Sequence, residues 1–189
     1  MAKRQHEFSR SVFVNCPFDP EYLPLLRPLL FTVIDLGFVP RIASERSDSG
    51  EIRIEKISTL IGECRYSIHD LSRLQATAAG EFYRLNMAFE LGIEYGSRRF
   101  GRALLRSKRC LVLEKDQHEF RKAISDLGGI DVKRHNNEPA DIVRALREWF
   151  VETVGLRRIH SATTIWYRFT NFASDFYDAC VRTASPTTI

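Results

Sequence analysis

The sequence predicts a three-layer α/β domain, a five-stranded parallel sheet of order 2-1-3-4-5 with extra helices at the C-terminal end. Three observations carry this. Short apolar runs alternate with longer stretches whose apolar residues recur at helical spacing. Gly, Pro, Asn and Asp punctuate the joins. The 189 residues, 44% hydrophobic and 28% charged, suffice for one domain with its own core. The expected division is a polar N-terminal arm at 1–10, the α/β domain at 11–155, and a C-terminal helix at 156–189 that packs on the domain or on a partner.

Each element follows in order. Ser11-Val12-Phe13-Val14-Asn15-Cys16 is a short apolar strand ending in the turn cluster Pro17-Phe18-Asp19-Pro20. Leu25, Leu26, Leu29, Leu30, Val33 and Ile34 mark one helical face over 21–36, with Pro24 in the first turn. Pro28 should kink that helix or delay its start, and Gly37 should close it. Phe38-Val39-Pro40-Arg41-Ile42 is a second strand, placed at a sheet edge because Pro40 cannot donate to a ladder.

A polar turn at 43–50 leads to a helix with Ile54, Ile57, Leu60, Ile61 and Cys64 on one face. Arg65 to Leu71 forms the third strand, ending at Asp70. Residues 72–85 read as a loop, small and polar at 76–80, and Asn86 as the N-cap of a helix reaching about Phe100. Cys110 to Leu113 is a fourth strand. A helix from Phe120 to Leu127 stops at Gly128-Gly129, and Ile130-Asp131-Val132 is a weak fifth strand. Helices over about 140–154 and 165–184 complete the chain. The last carries Trp166, Phe169, Ala173, Phe176, Tyr177 and Cys180 on one stripe, which fits packing on its own domain, a dimer interface or a partner's groove.

The bulk properties exclude several classes. No apolar run is long enough to span a membrane, and residues 1–10 lack the apolar centre of a secretory signal. Cys16, Cys64, Cys110 and Cys180 are widely spaced and beside apolar runs, so they read as buried small hydrophobes in a reducing, cytoplasmic compartment. No Cys/His spacing fits a zinc site, and no metal is expected. A net charge of +4 and pI near 9.0 favour anionic ligands. Neither nucleic acid nor a membrane is expected as a partner, and the arginine-rich run at 97–109 reads as a solvated face.

In an open parallel sheet, ligands bind beyond the carboxyl ends of the strands where strand order reverses. Here that crevice lies between the first strand, ending at Asn15, and the third, ending at Asp70. Asn15, Asp19, Asp70, Ser72 and Arg73 lie just past those ends. The helix opening at Asn86 points its N-terminus there and carries Glu90. A capping box would place its Glu three residues after the cap, whereas Glu90 is four after Asn86. It also interrupts the apolar Phe89, Leu91 and Ile93. A carboxylate that merely complements the helix dipole stands as the competing reading.

Residues 11 to about 135 resemble the superfamily that joins nucleoside 2-deoxyribosyltransferases to TIR and TIR-like nucleotide-binding domains, with a flavodoxin-like fold. The resemblance rests on Val12-Phe13-Val14-Asn15-Cys16-Pro17-Phe18-Asp19, His69-Asp70-Leu71-Ser72, and Asn86 to Gly92. It implies that Glu90, in Ala88-Phe89-Glu90-Leu91-Gly92, is the catalytic carboxylate, with Asp70 orienting the sugar or leaving base. Asn15, Asp19, Ser72 and Asn86 become substrate contacts. Cys16-Pro17 departs from the Gly-Pro turn usual in the transferases.

The implied activity is cleavage of an N-glycosidic bond of NAD or a related nucleotide, as in bacterial antiphage defence. The nucleotide would be a substrate or ligand, with no separate cofactor. Alternatives are a deoxyribosyltransferase or nucleoside hydrolase, and a non-catalytic nucleotide-sensing or assembly module. A homo-oligomer or partner protein would engage the aromatic C-terminal helix.

Three further readings complete the candidate set. Ser49 and Gly50 offer amides near a helix start and Arg46 and Arg53 offer charge, so this loop either receives a phosphate or is simply solvated. His69 should face the opposite side of its strand from Asp70 and is read as structural. Cys16 has no activating His near it in sequence and is read as buried rather than nucleophilic.

Overall fold

A computed structural model describes residues 2–45, 48–73, 85–116 and 119–184. Arg46 and the stretch 76–80 lie outside the described residues. Strands β1 (Ser11–Asn15), β2 (Val39–Ile42), β3 (Tyr66–Asp70), β4 (Arg109–Glu114) and β5 (Val132–Arg134) form one sheet. Its order is β2-β1-β3-β4-β5 and every pairing is parallel. This is the expected flavodoxin-like order, with β2 and its Pro40 at an edge.

Alternation along the strands divides the core into two faces. Val12, Val14, Cys16, Tyr66, Ile68, Leu111 and Leu113 face one side. There they pack on α2 (Leu23–Asp35) and α7 (Pro139–Trp149). Phe13 packs the opposite side with α3 (Arg53–Glu63), and Val112 does so with α4 (Asn86–Phe100). Register aligns Asn15 with His69 and Asp70 with Leu113. His69 therefore shares Phe13's side, and Asp70 shares the side of α2 and α7.

Several local expectations are corrected. The polar arm is a helix, α1 (Ala2–Arg10), because Phe8 is buried, its carbonyl accepts the Arg65 N–H, and Arg10 donates to the Gly37 carbonyl. Pro28 does not delay α2, which begins at Leu23 and runs through it, so the helix forgoes one backbone bond. Gly37 ends it at φ 86°, as expected.

The fifth strand starts two residues late, because the Ile130 N–H is taken by the turn carbonyl of Leu127. The helix before it is only α6 (Glu119–Ala123), followed by a 3₁₀ turn at Ser125–Leu127. A short helix, α5 (Ala103–Arg106), joins α4 to β4. Beyond α7 a π-helical turn, Phe150–Val154, ends at Gly155 with φ 85°.

Among the described residues, the first half of the last helix, α8 (Ala162–Ala184), is the part seen to pack on the domain. Ile165 is fully buried, Phe169 and Phe172 meet Phe31 of α2, and Arg168 pairs with Asp35 at 2.9 Å. Phe176, Tyr177 and Cys180 on the expected stripe stand in solvent. Cys180 is thus an exception to the expectation of buried cysteines, as is the half-buried Cys110. Among the described residues no helix is long and apolar enough to cross a membrane.

Candidate functional site at the carboxyl edge of the sheet

The carboxyl ends of β1 and β3 converge on Cys16, the first residue past β1. Asn15 organises this edge. Its side-chain amide donates to the Met87 carbonyl at 3.0 Å and to Nδ1 of His69 at 3.0 Å. One side chain thus ties β1 to β3 and to the start of α4. Both amide hydrogens are spent on that bracing, so Asn15 positions rather than recognises. The bond leaves the His69 proton on Nε2, a buried atom without a partner among the described residues. Burial, and then the charge of Lys108, hold its pKa down at about 3. His69 is a neutral structural residue, as its strand position predicts.

Met87, Glu90, Leu91 and Glu94 form the buried face of α4, the i, i+3, i+4, i+7 stripe. Glu90 is thereby carried into the interior one turn beyond the residue that Asn15 holds. It is 6% exposed, and burial raises its pKa from 4.5 to about 7, with the charge of Arg53 opposing. Arg53, the exposed first residue of α3, is the cation that acts on it. Asn86 is exposed and is not the N-cap. Leu85 precedes it with helical dihedrals and no side-chain cap bond.

Asp70 lies on the other face and is fully enclosed. One carboxylate oxygen accepts from the Tyr22 hydroxyl and from Nε2 of His135, the latter at 3.2 Å. The other accepts the Ser72 N–H at 2.9 Å and the Ser72 hydroxyl. Burial pushes its pKa up, but His135, Ser72 and Tyr22 together outweigh that and hold it below its ordinary 3.8. Asp70 and Glu90 flank Cys16 from opposite faces and do not line one wall. Burial drives the Cys16 thiol pKa well up, and Asp70, Glu90 and Asp19 add to it, which removes the thiolate as a nucleophile.

Ser72, His135 and Asp70 have the composition of a hydrolytic triad but the wrong wiring. The Asn137 N–H donates to Nδ1 of His135 at 3.0 Å, so a neutral ring carries its proton on Nε2. That nitrogen lies 2.7 Å from the Ser72 hydroxyl and cannot accept its proton. The carboxylate also sits on the serine's side of the ring instead of behind it. The cluster is a positioning network.

The remaining candidates divide. Asp19 accepts the Tyr22 N–H at 3.0 Å and pairs with Arg73 at 2.6 Å, so it anchors the start of α2 and places a half-buried guanidinium at the rim. Ser49 is exposed, and the neighbouring Gly50 N–H is taken by Asp48 at 2.9 Å. That loop caps itself, which favours the solvated alternative. Tyr22 and His135 were not among the sequence candidates. Tyr22 falls inside the helix expected over 21–36 and carries no mark of its own there. His135 had a usable signal, since it follows the fifth strand and the carboxyl ends of parallel strands share one edge.

A cleft of about 590 Å³ lies elsewhere, between Glu94, Tyr95 and Arg98 of α4 and the start of β4 at Arg109 and Cys110. It sits at the amino end of the sheet. The Cys110 thiol there is pushed by burial to about 12, and we assign the cleft no part in the chemistry.

Glu90 remains the buried carboxyl at the carboxyl edge without a close network of its own among the described residues. Comparison with known proteins found no family model that matches the chain and no match among curated proteins.

Proposed function

We propose that the chain is a cytoplasmic nucleotide-processing enzyme of TIR-like type that cleaves an N-glycosidic bond of NAD or a related nucleotide, with Glu90 as the acting carboxylate. One observation carries the reading: Glu90 is desolvated at the strand-order reversal, titrates near neutrality, and has the arginine Arg53 acting on it. Perturbed carboxyls of this kind cluster at working sites.

In this reading Glu90, ionised, stabilises the oxocarbenium-like transition state or attacks the anomeric carbon of the ribose. The glycosidic electron pair leaves with the base, which for NAD is neutral nicotinamide. Water then takes the anomeric position and releases one proton. Arg53 favours the ionised form and can meet a phosphate. Asp70, enclosed by its own partners, acts through Ser72 by holding that side chain at the rim.

The same enclosure favours a second reading, a nucleotide-binding or assembly module without turnover, because Asp70 has no lone pair left to orient a sugar. Deoxyribosyl transfer is the further enzymatic alternative. The exposed second half of α8 is the surface we assign to oligomer or partner contact, and antiphage defence is the setting the reading fits.

The test is incubation of the pure protein, at concentrations that permit association, with NAD and with deoxynucleosides, following base release. Release abolished by Glu90→Gln with nucleotide binding retained supports the enzyme. Binding without release by the wild type selects the module, and neither binding nor release ends both.

A further inference from the structure

The corner between α4 and α5 concentrates the charge of the chain. Residues 95–113 hold six of its 28 Lys and Arg and none of its 24 Asp and Glu. The rest, with 22 against 24, is slightly negative. Lys108 turns inward to Glu94 at 3.3 Å and to the carbonyls of Ile61 and Cys64. Arg98, Arg99, Arg102, Arg106 and Arg109 stay at the surface. Among the described residues none of these five lies within ion-pairing distance of a carboxylate.

Apolar side chains project between them: Phe100 is 82% exposed and Leu104 47%. The corner itself is built in. Gly101 turns the chain where a Cβ would clash with the Ser97 carbonyl, whose oxygen accepts the Gly101 N–H at 3.0 Å.

We propose that this corner docks on an anionic membrane surface, with Phe100 and Leu104 entering the headgroup layer and the five arginines pairing with lipid phosphates. Charge complementarity identifies an anionic occupant. Shape favours a bilayer over a nucleic-acid strand. A strand needs a basic groove with stacking platforms, whereas a phenylalanine this exposed is a protrusion, and Leu104 beside it has no stacking role. Apolar tips ringed by guanidiniums with long aliphatic stems match the interfacial layer. This is peripheral contact and needs no spanning helix. The corner lies about 15 Å along α4 from Glu90, at ten residues and 1.5 Å each, toward the amino edge of the sheet. Docking there leaves the candidate site facing water.

The experiment is flotation of the full chain with phosphatidylcholine vesicles, with and without a third of phosphatidylglycerol, at low and high salt. The expected result is capture by the anionic vesicles alone, suppressed by salt. Arg99→Glu with Arg102→Glu should weaken capture by at least about 25-fold, about fivefold for each cation. Phe100→Ser should weaken it several-fold, and Ile34→Ser, an exposed apolar residue on another surface, should leave it unchanged. All are surface positions, and circular dichroism verifies folding. Absence of capture by anionic vesicles overturns the proposal, as does capture that neither the charge reversals nor Phe100→Ser weaken. Binding to a single-stranded oligonucleotide at a salt concentration where the vesicles no longer bind also overturns it.

Discussion

Replacing Glu90 by Gln keeps its shape and removes its charge, so the substitution isolates the cost of ionising a buried carboxyl. The folded chain holds this proton to about pH 7, whereas the group ordinarily loses it at 4.5. Because the folded pKa is the higher one, the favourable contribution is complete below 4.5 and is lost as pH rises through 7. The full displacement corresponds to at most about 3.4 kcal/mol. Allowing for solvent at the Arg53 side leaves about 1.5 kcal/mol, most of it appearing between about pH 5 and about pH 8. Glu90→Gln should therefore gain about 1 kcal/mol on the wild type over that interval, roughly 2 to 4 °C in Tm for a chain of this size. Denaturant melts of both proteins at the two pH values measure it. If the gap between variant and wild type were the same at both, Glu90 would not be desolvated and the argument for its chemical role would lose its footing. Under the proposed function, kcat/KM for base release should also rise with pH through about 7, the value of the free enzyme, since the carboxylate is the acting form.

Asp70→Ala should destabilise by about 3 to 5 kcal/mol, because it strands the Tyr22 hydroxyl, Ser72 and His135 inside the protein; chemical denaturation reads this. With its folded pKa below 3.8, Asp70 contributes stability that is present above that pH and lost as pH falls through the folded value, so the wild type should lose stability on acidification more steeply than Asp70→Asn. Lys108→Met should cost about 3 to 5 kcal/mol by leaving the Glu94 carboxyl buried without its cation, and adding Glu94→Gln should recover much of it. A double-mutant cycle quantifies that coupling. On α8, Phe169→Ala should lower Tm through lost packing on Phe31, whereas Phe176→Ala, which loses the stacking on Phe172, should lower the monomer's Tm less and, if that half is an assembly surface, lower the mass measured by light scattering.

The sheet was legible because its signals are local. Val12, Val14, Ile68, Leu111 and Leu113 declare short buried strands, and the intervening helical periodicity forces parallel connections. The faults come where one tertiary contact outweighs local pattern. Residues 2–10 look like a polar arm, yet the single Phe8 finds a buried seat and the Arg65 amide a partner, which suffices to order a helix. Asn86 looks like a cap, yet Leu85 is already helical. Tyr22 and His135 could not be assigned to this network from spacing, since 48 residues of chain separate Tyr22 from Asp70 and 63 separate His135 from Ser72.

The site shows the same division more sharply. Period two along β3 separates Asp70 from His69, and His69 is the residue that shares a face with Asn15 and α4. The two carboxylates read from sequence as one catalytic pair thus belong to different layers, one satisfied by three partners and one stripped of solvent. Burial raises the pKa of both, and only at Asp70 do close donors outweigh it. Asp70 is held ionised by donors aimed at it before any ligand arrives, while Glu90 keeps its proton until something cationic lowers the cost of losing it. On the proposed reading a substrate laid over Cys16 supplies that cation itself. The positively charged nicotinamide ring of NAD, approaching Glu90, would pull its pKa down and generate the carboxylate where the glycosidic bond lies. A neutral deoxynucleoside brings no such charge. The preference between them follows from the environment of Glu90: turnover of NAD should persist below pH 7, where turnover of a neutral nucleoside falls away. Parallel pH profiles with the two substrate classes would decide it, and profiles of identical midpoint would refute the coupling.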